Sequence, residues 1–281
     1  PAGSLIQVAH RVLSASRHST LKVIFVRGLM GTSGEISKQI SSGILEPIGQ
    51  LRGASNGSLL CKDATEALFV YKPVVGERPL WDFPNETLSG REVAAANMDS
   101  LLGWHLVPPT CWIEEGPLGP GMVQSWVEEI DELRPVNIFD TDGVPEGWRS
   151  VLQAIDQSGR PVTLAHEVSE QLQRMALFDA VVNNADRKAG HVLADSTGQI
   201  FAIDHGLCFN EEPKLRTVLW GWANEEIPDH HLMDIERLQN TLGDFHELID
   251  PYLDARESVE LRQRIVDLLQ GQRFPRPHDD W

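Results

Sequence analysis

The chain has 281 residues, enough to bury a substantial core and to form two lobes around a cleft. Its net charge of −17 argues against a sequence-independent nucleic-acid binder and against broad adhesion to anionic lipid, because both need a surplus of Lys and Arg. No apolar run approaches the ~20 residues of a membrane-spanning helix. Cys61, Cys111 and Cys208 are scattered and form no CxxC pair, so a reducing cytoplasm is the expected setting.

In chain order, residues 1 to 34 hold Arg11, Arg17, Lys22 and Arg27 with no Asp or Glu, giving +4 against −21 for the remainder. Such a start resembles a transit peptide, but a dispensable, flexible extension over residues 1–35 is the reading preferred here. Gly28, Gly31 and Gly34 invite a phosphate-loop reading that fails, since no Gly-Lys-Ser/Thr follows. An N-terminal lobe of strands with one helix is expected over residues 36–127. Within it, Leu51 to Leu59 is a small-residue turn whose amides, with Ser55 and Asn56, can cover a triphosphate. Ala67 to Pro73 reads as a strand whose Lys72 sits among apolar residues and needs an anionic partner. Glu92, in a helix predicted from Ser89 to Leu102 and ended by Gly103, can supply it. The same glutamate also fits a capping box with Ser89, in which it would bond its own helix instead.

A second lobe, mainly helical, is expected over residues 128–281. Glu128 to Glu132 reads as a solvated acidic connection, and Pro135 to Pro161 as loop plus short helix. Leu164, Val168, Leu172, Met175, Phe178 and Val182 recur at helical spacing, with Asn183-Asn184 as a stop. Val192–Ala194 and Ile200–Ile203 flank Asp195-Ser196-Thr197-Gly198, a hairpin. Between helix and hairpin lies Asn184-Ala185-Asp186-Arg187-Lys188-Ala189-Gly190-His191, and after the hairpin comes Asp204-His205-Gly206. A carboxylate, a cation two residues on and two further possible metal ligands are what phosphoryl transfer from a magnesium nucleotide requires. Asp186 would orient the acceptor hydroxyl, Lys188 would neutralise charge on the moving phosphoryl group, and His191 and Asp204 would hold the metal.

Val70-Tyr71-Lys72-Pro73, Gly76 to Pro84, Gly119 to Gln124, Asn183 to Lys188, and Ala202 to Leu207 with Leu219-Trp220-Gly221-Trp222 give the sequence a family likeness. The chain resembles the phosphatidylinositol 3/4-kinase superfamily, most closely an actinobacterial PI3/PI4-kinase-like family, with similarity also to type II phosphatidylinositol 4-kinases. The resemblance runs from about Leu45 to the C-terminus. It implies an α+β, bilobal protein-kinase-like fold, with ATP and Mg or Mn as cofactors. By position it implies Lys72 for phosphate binding with Glu92 as partner, Asp186 as catalytic aspartate and Asp204 as metal ligand. Gln124, Trp126 and Val127 would then belong to the hinge that meets adenine.

One position departs from the kinase pattern: His191 stands where kinases usually have Asn. Imidazole is a softer donor than an amide oxygen, so His191 either binds a metal such as manganese or only hydrogen-bonds the loop while Asp204 holds the ion. As a ligand it would make metal-dependent nucleotide affinity decline as pH falls through roughly 6.5. Trp220 and Trp222 read as a core pair, His205 as a hydrogen bonder behind the metal aspartate, and Asp229-His230-His231 as a polar helix start rather than a zinc cluster. The expected activity is ATP-dependent phosphoryl transfer to a hydroxyl of an unknown acceptor: a protein, a lipid head group or a small polyol. The alternative is a nucleotide-binding pseudokinase in which His191 marks the loss of chemistry.

Overall fold

The computed structural model describes residues 45–51, 57–78, 80–83 and 88–277, without the side chain of Leu242. The extension over residues 1–35 and the expected triphosphate-covering residues Ser55 and Asn56 lie outside the described residues. The architecture is α+β, with a β-rich N-terminal part and a C-terminal part dominated by helices.

The N-terminal part is an antiparallel sheet in the order β1-β2-β3-β5-β4, from β1 (Glu46–Gln50), β2 (Leu59–Lys62), β3 (Leu68–Pro73), β4 (Thr110–Gly116) and β5 (Gly119–Ser125). Helix α1 (Leu88–Leu102) is inserted between β3 and β4. Alternation along β3 buries Phe69, Tyr71 and Pro73 and turns Val70 and Lys72 to the other face, as a half-buried strand must. Phe69 and Tyr71 form a small core with Leu45, Cys61, Cys111 and Val123. The Tyr71 hydroxyl donates to the Gly119 carbonyl at 2.6 Å. Gly121 sits opposite Pro73, and a Cβ there would collide with the Lys72 carbonyl, so only glycine lets β5 lie this close.

Residues 136–167 correct the sequence expectation. In place of loop plus short helix there is a three-stranded antiparallel sheet, β6-β8-β7, from β6 (Val136–Asp140), β7 (Trp148–Ile155) and β8 (Pro161–Glu167). The Asp-Gly and Pro turns at 142–145 and 158–161 connect strands. Leu164 therefore belongs to β8, and helix α2 begins later, at Glu170, where Ser169 accepts the Leu172 amide as N-cap. Val168, counted on the helical stripe, is 49% exposed.

Helix α2 (Glu170–Val182) ends at Asn183, whose φ of 52° is the left-handed conformation that Asn tolerates at a helix C-terminus. The hairpin β9 (Val192–Ala194) and β10 (Ile200–Ala202) follows as expected. Trp220 and Trp222 lie in a buried 3₁₀ turn rather than a strand. Helices α3 (Asp229–Asn240), α4 (Leu242–Leu248) and α5 (Ala255–Gly271) complete the chain. Asp254 and Glu257 form a full capping box at the start of α5.

One large core unites this part. Leu172, Met175, Phe178 and Val182 of α2 meet Leu261 and Ile265 of α5 and, from the N-terminal half of the sequence, Ala94, Ala95, Met98 and Leu102 of α1. Helix α1 is therefore packed mainly into the helical core, while the sheet beside it keeps a separate, smaller one.

Candidate active site

Lys72 is fixed from several directions. Its Nζ lies 2.5 Å from Glu92 Oε1 and 2.8 Å from Asp204 Oδ1, so the strand, the helix and the segment after the β9–β10 hairpin meet on one ammonium. Ser89 Oγ donates to the Lys72 carbonyl at 3.1 Å. The amides of Leu88 and Ser89 donate to the Glu77 carboxylate at 3.0 and 2.7 Å. Glu77 thus satisfies two of the orphan donors of α1, and Glu92 serves Lys72, which decides between the two readings the sequence left open. The second Glu92 oxygen accepts the His205 amide at 2.9 Å.

The electrostatics follow from this packing. Burial opposes the charge on Lys72, yet Asp204 and Glu92 hold its pKa above the ordinary lysine value. The Lys72 charge in turn holds Asp204 well below the usual carboxylate range. Burial raises Glu92 against the pull of Lys72. Asp204 has a φ of 63° and a side chain 48% exposed, so the strained turn after β10 presents a carboxylate to solvent while His205 beside it is fully buried.

The loop between α2 and β9 is held by a buried hub. Arg187 and Asp179, both 0% exposed at the side chain, pair at 2.8 Å. Asp179 also accepts from Asn184 Nδ2 at 3.0 Å and Thr217 Oγ1 at 2.9 Å. Arg187 donates to the Ile203 carbonyl at 2.7 Å and meets His205 Nε2 at 2.7 Å. Backbone bonds from Ala185 to Leu207 and between Arg187 and Arg216 clamp the loop on both sides. Asn183 anchors the segment after the hairpin through the Asn210 and Glu212 carbonyls and the Lys214 amide. Sequence reasoning gave His205 as a hydrogen bonder and Asn183-Asn184 as the helix stop, but left the Asp179–Arg187 pair at the centre of the hub unassigned. Asp179, a carboxylate on an otherwise apolar stretch of α2, was the available signal.

On that scaffold stand Asp186 and Lys188. The Asp186 amide donates to Asn184 Oδ1 at 2.9 Å, and Lys188 Nζ donates to Asp186 Oδ2 at 2.6 Å. Their side chains are 33% and 34% exposed, so this pair reaches solvent.

His191 Nε2 lies 3.3 Å from Asp204 Oδ2. That is close to the roughly 3 Å between neighbouring ligands of an octahedral ion with bonds of about 2.1 Å. Its other nitrogen, Nδ1, is buried with no partner among the described residues. An imidazole that ligates through Nε2 carries its proton on Nδ1 and normally donates it, which nothing described here accepts. Burial lowers the His191 pKa to about 4, so the ring is neutral near pH 7 and its proton is best placed on Nε2, facing Asp204. The Asp204 carboxylate, partly exposed and beside a neutral imidazole, can hold a divalent cation without the ring as a ligand.

Gln124, Trp126 and Val127 lie at the end of β5 and just beyond it. The Gln124 side chain is buried and donates to Thr110 Oγ1 at 2.9 Å, inside the sheet. Trp126 donates its indole N–H to Glu128 at 3.1 Å, and its amide bonds the Leu68 carbonyl at 3.0 Å. Val127 is buried. Ile130 then ties this connection to the hairpin through the Ala194 carbonyl at 2.9 Å. A separate cavity of about 520 Å³, bounded by Val74, Glu77, Trp112, Glu114 and Tyr252, lies near the N-terminal end of α1 and is not lined by Lys72, Asp186, Asp204, Gln124, Trp126 or Val127.

Comparison with known proteins agrees with the geometry. The family model described as "Phosphatidylinositol 3- and 4-kinase" matches residues 153–266, from β7 to α5. Among solved structures, the Golgi casein kinase is similar in fold. Its form with Mn/ADP bound has a TM-score of 0.53 at 11% identity, covering 85% of this chain and 75% of that one. A second structure of the Golgi casein kinase has a TM-score of 0.51 at 11% identity, covering 85% and 74%. Protein Rv2133c of Mycobacterium tuberculosis is 42% identical over 258 residues, 85% of this chain and 90% of the relative. The chain belongs to the family of that mycobacterial protein, a PI3/PI4-kinase-like family on a kinase-like fold.

Proposed function

We propose that the protein is an ATP-dependent phosphotransferase that moves the γ-phosphoryl group of ATP to a hydroxyl acceptor on a protein, a lipid head group or a small polyol. The observation that carries this reading is the convergence of Glu92 and Asp204 on Lys72, at 2.5 and 2.8 Å, beside a loop that offers Asp186 and Lys188 to solvent. Lys72, oriented by Glu92, binds nucleotide phosphates. Asp186 orients the acceptor hydroxyl and takes its proton as the new bond to phosphorus forms and the bond to the leaving ADP oxygen breaks. Lys188 steadies charge on the transferred group. Asp204 would hold the divalent cation, Mg or Mn, which when bound neutralises the phosphates, and His191 stands beside the same carboxylate, its Nε2 3.3 Å from Oδ2. The Golgi casein kinase, solved with Mn/ADP, gives a precedent for that pairing on a similar fold.

A nucleotide-binding pseudokinase is favoured by one observation, that Lys72 and His191 already engage both oxygens of Asp204. ATP turnover separates the readings. The full-length protein is assayed with Mg and then Mn, alone and with cell extract, beside Asp186→Asn. Turnover that disappears in the variant supports the enzyme, while nucleotide binding with no turnover under either metal leaves the regulator.

A further inference from the structure

His231 is 0% exposed, yet neither of its ring nitrogens has a hydrogen-bond partner among the described residues. A buried, unpaired polar atom costs about 1–3 kcal/mol, and folded proteins seldom leave two on one ring. The surroundings suggest what is absent. His231 stands in the first turn of α3 beside His230, the two rings 4.0 Å apart at their centroids. Glu170, in the first turn of α2, faces them, with its Oε1 at 3.6 Å from His230 Nε2. One donor atom from each of the three residues lies within 4.8 Å of the others. Trp104 closes the buried side of His231, its ring edge-on at 6.1 Å.

We propose that Glu170, His230 and His231 form a second metal site, for zinc or a similar borderline divalent ion, distinct from Asp204. Two imidazole nitrogens and one carboxylate oxygen suit zinc, leaving a fourth position for water. Burial lowers the His231 pKa to about 4, so the ring is unprotonated near pH 7, as a ligand must be. Arg174, at 2.6 Å from Glu170 Oε1, is the cation that now neutralises this carboxylate and is the group the ion displaces. The site joins the beginnings of α2 and α3. Asp186 follows the opposite end of α2, about 20 Å away along a 13-residue helix, so the ion is structural and takes no part in phosphoryl transfer.

Zinc titration of the full chain by calorimetry, with thermal unfolding in parallel, tests this in wild type, His230→Ala, Glu170→Gln and Asp204→Asn. His230 and Glu170 are exposed, so their variants are expected to fold. One zinc per chain should bind the wild type and Asp204→Asn alike and raise the thermal midpoint of both. Affinity should fall at least about tenfold in His230→Ala and in Glu170→Gln, with the thermal shift abolished. Undiminished binding in those two variants, loss of binding in Asp204→Asn, or no zinc bound by the wild type would each overturn the proposal.

Discussion

The loop between α2 and β9 takes part in two carboxylate–cation pairs of the same chemistry in opposite surroundings, one with Asp179 of α2 and one within the loop itself. Asp179–Arg187 is fully buried, and its members also bond Asn184, Thr217, His205 and the Ile203 carbonyl. Asp186–Lys188 is about one-third exposed, and the only further side-chain contact described for it is from Asn184 to the Asp186 amide. A dry pair with every direction occupied cannot exchange partners, so it serves as scaffold. A pair in contact with water can release one partner for a substrate, at little cost in stability.

The sharpest way to break this contrast is to remove one member from each pair. Arg187→Met leaves Asp179 as an uncompensated buried charge and should destabilise the fold by about 3–5 kcal/mol, whereas Lys188→Met should cost under about 1 kcal/mol. Urea unfolding of both variants measures the difference, and equal losses would contradict the division into scaffold and exchangeable pair. Asp186→Asn should reverse the ranking. Turnover should fall about 10²–10⁴-fold while ATP affinity and the unfolding midpoint stay near wild type, because the role proposed for this group lies in the transition state. Loss of nucleotide affinity in that variant would move Asp186 out of its assigned role.

Lys72→Met should weaken ATP by about 10- to 100-fold and adenosine hardly at all, since only ATP carries the phosphates that the ammonium is proposed to contact. A parallel loss for both ligands, read by calorimetry, would show a destabilised strand instead.

The last expected effect concerns His191. Its folded pKa, about 4, lies below the unfolded value of about 6.5. The stability linked to it is therefore fully present above about pH 6.5 and is lost as pH falls toward about 4. His191→Asn should flatten that acid limb by on the order of 2 kcal/mol between about pH 7.5 and about pH 4.5, in urea unfolding of the metal-free protein. With Asp204 alone holding the ion, the preference between Mg and Mn should not change. A switch in preference would make the imidazole a ligand after all.

Much of the candidate site could be placed from sequence because its residues sit at the ends of strongly patterned elements. A lysine among the apolar residues of β3 marked Lys72, the apolar run of α2 led to Asp186, and the hairpin turn at Asp195 to Gly198 placed Asp204. The β6–β8 sheet was not legible. Its strand β7 is nowhere fully buried, with Ser150, Gln153 and Ile155 exposed, so it lacks the two-sided contrast that identifies a strand. Leu164 and Val168 fell on the helical stripe by coincidence of spacing, although one belongs to β8 and the other faces solvent. The Asp179–Arg187 hub joins residues whose burial comes from tertiary packing, which periodicity does not report. Gln124 was expected near adenine, yet its side chain turns into the sheet toward Thr110.

Helix α1 carries Arg91 and Glu92 side by side, and both are buried. Glu92 reaches Lys72, while Arg91 pairs with Glu257 of α5 at 2.5 Å and donates to the Cys208 carbonyl at 2.7 Å. Swinging α1 away from Lys72 would break the Arg91 pair and strand two charges in the core, a cost of several kcal/mol. The lysine–glutamate contact is therefore assembled by default. For the proposed phosphotransferase, control would act on nucleotide supply, on acceptor access or on the strands beside α1, because moving the helix carries this cost.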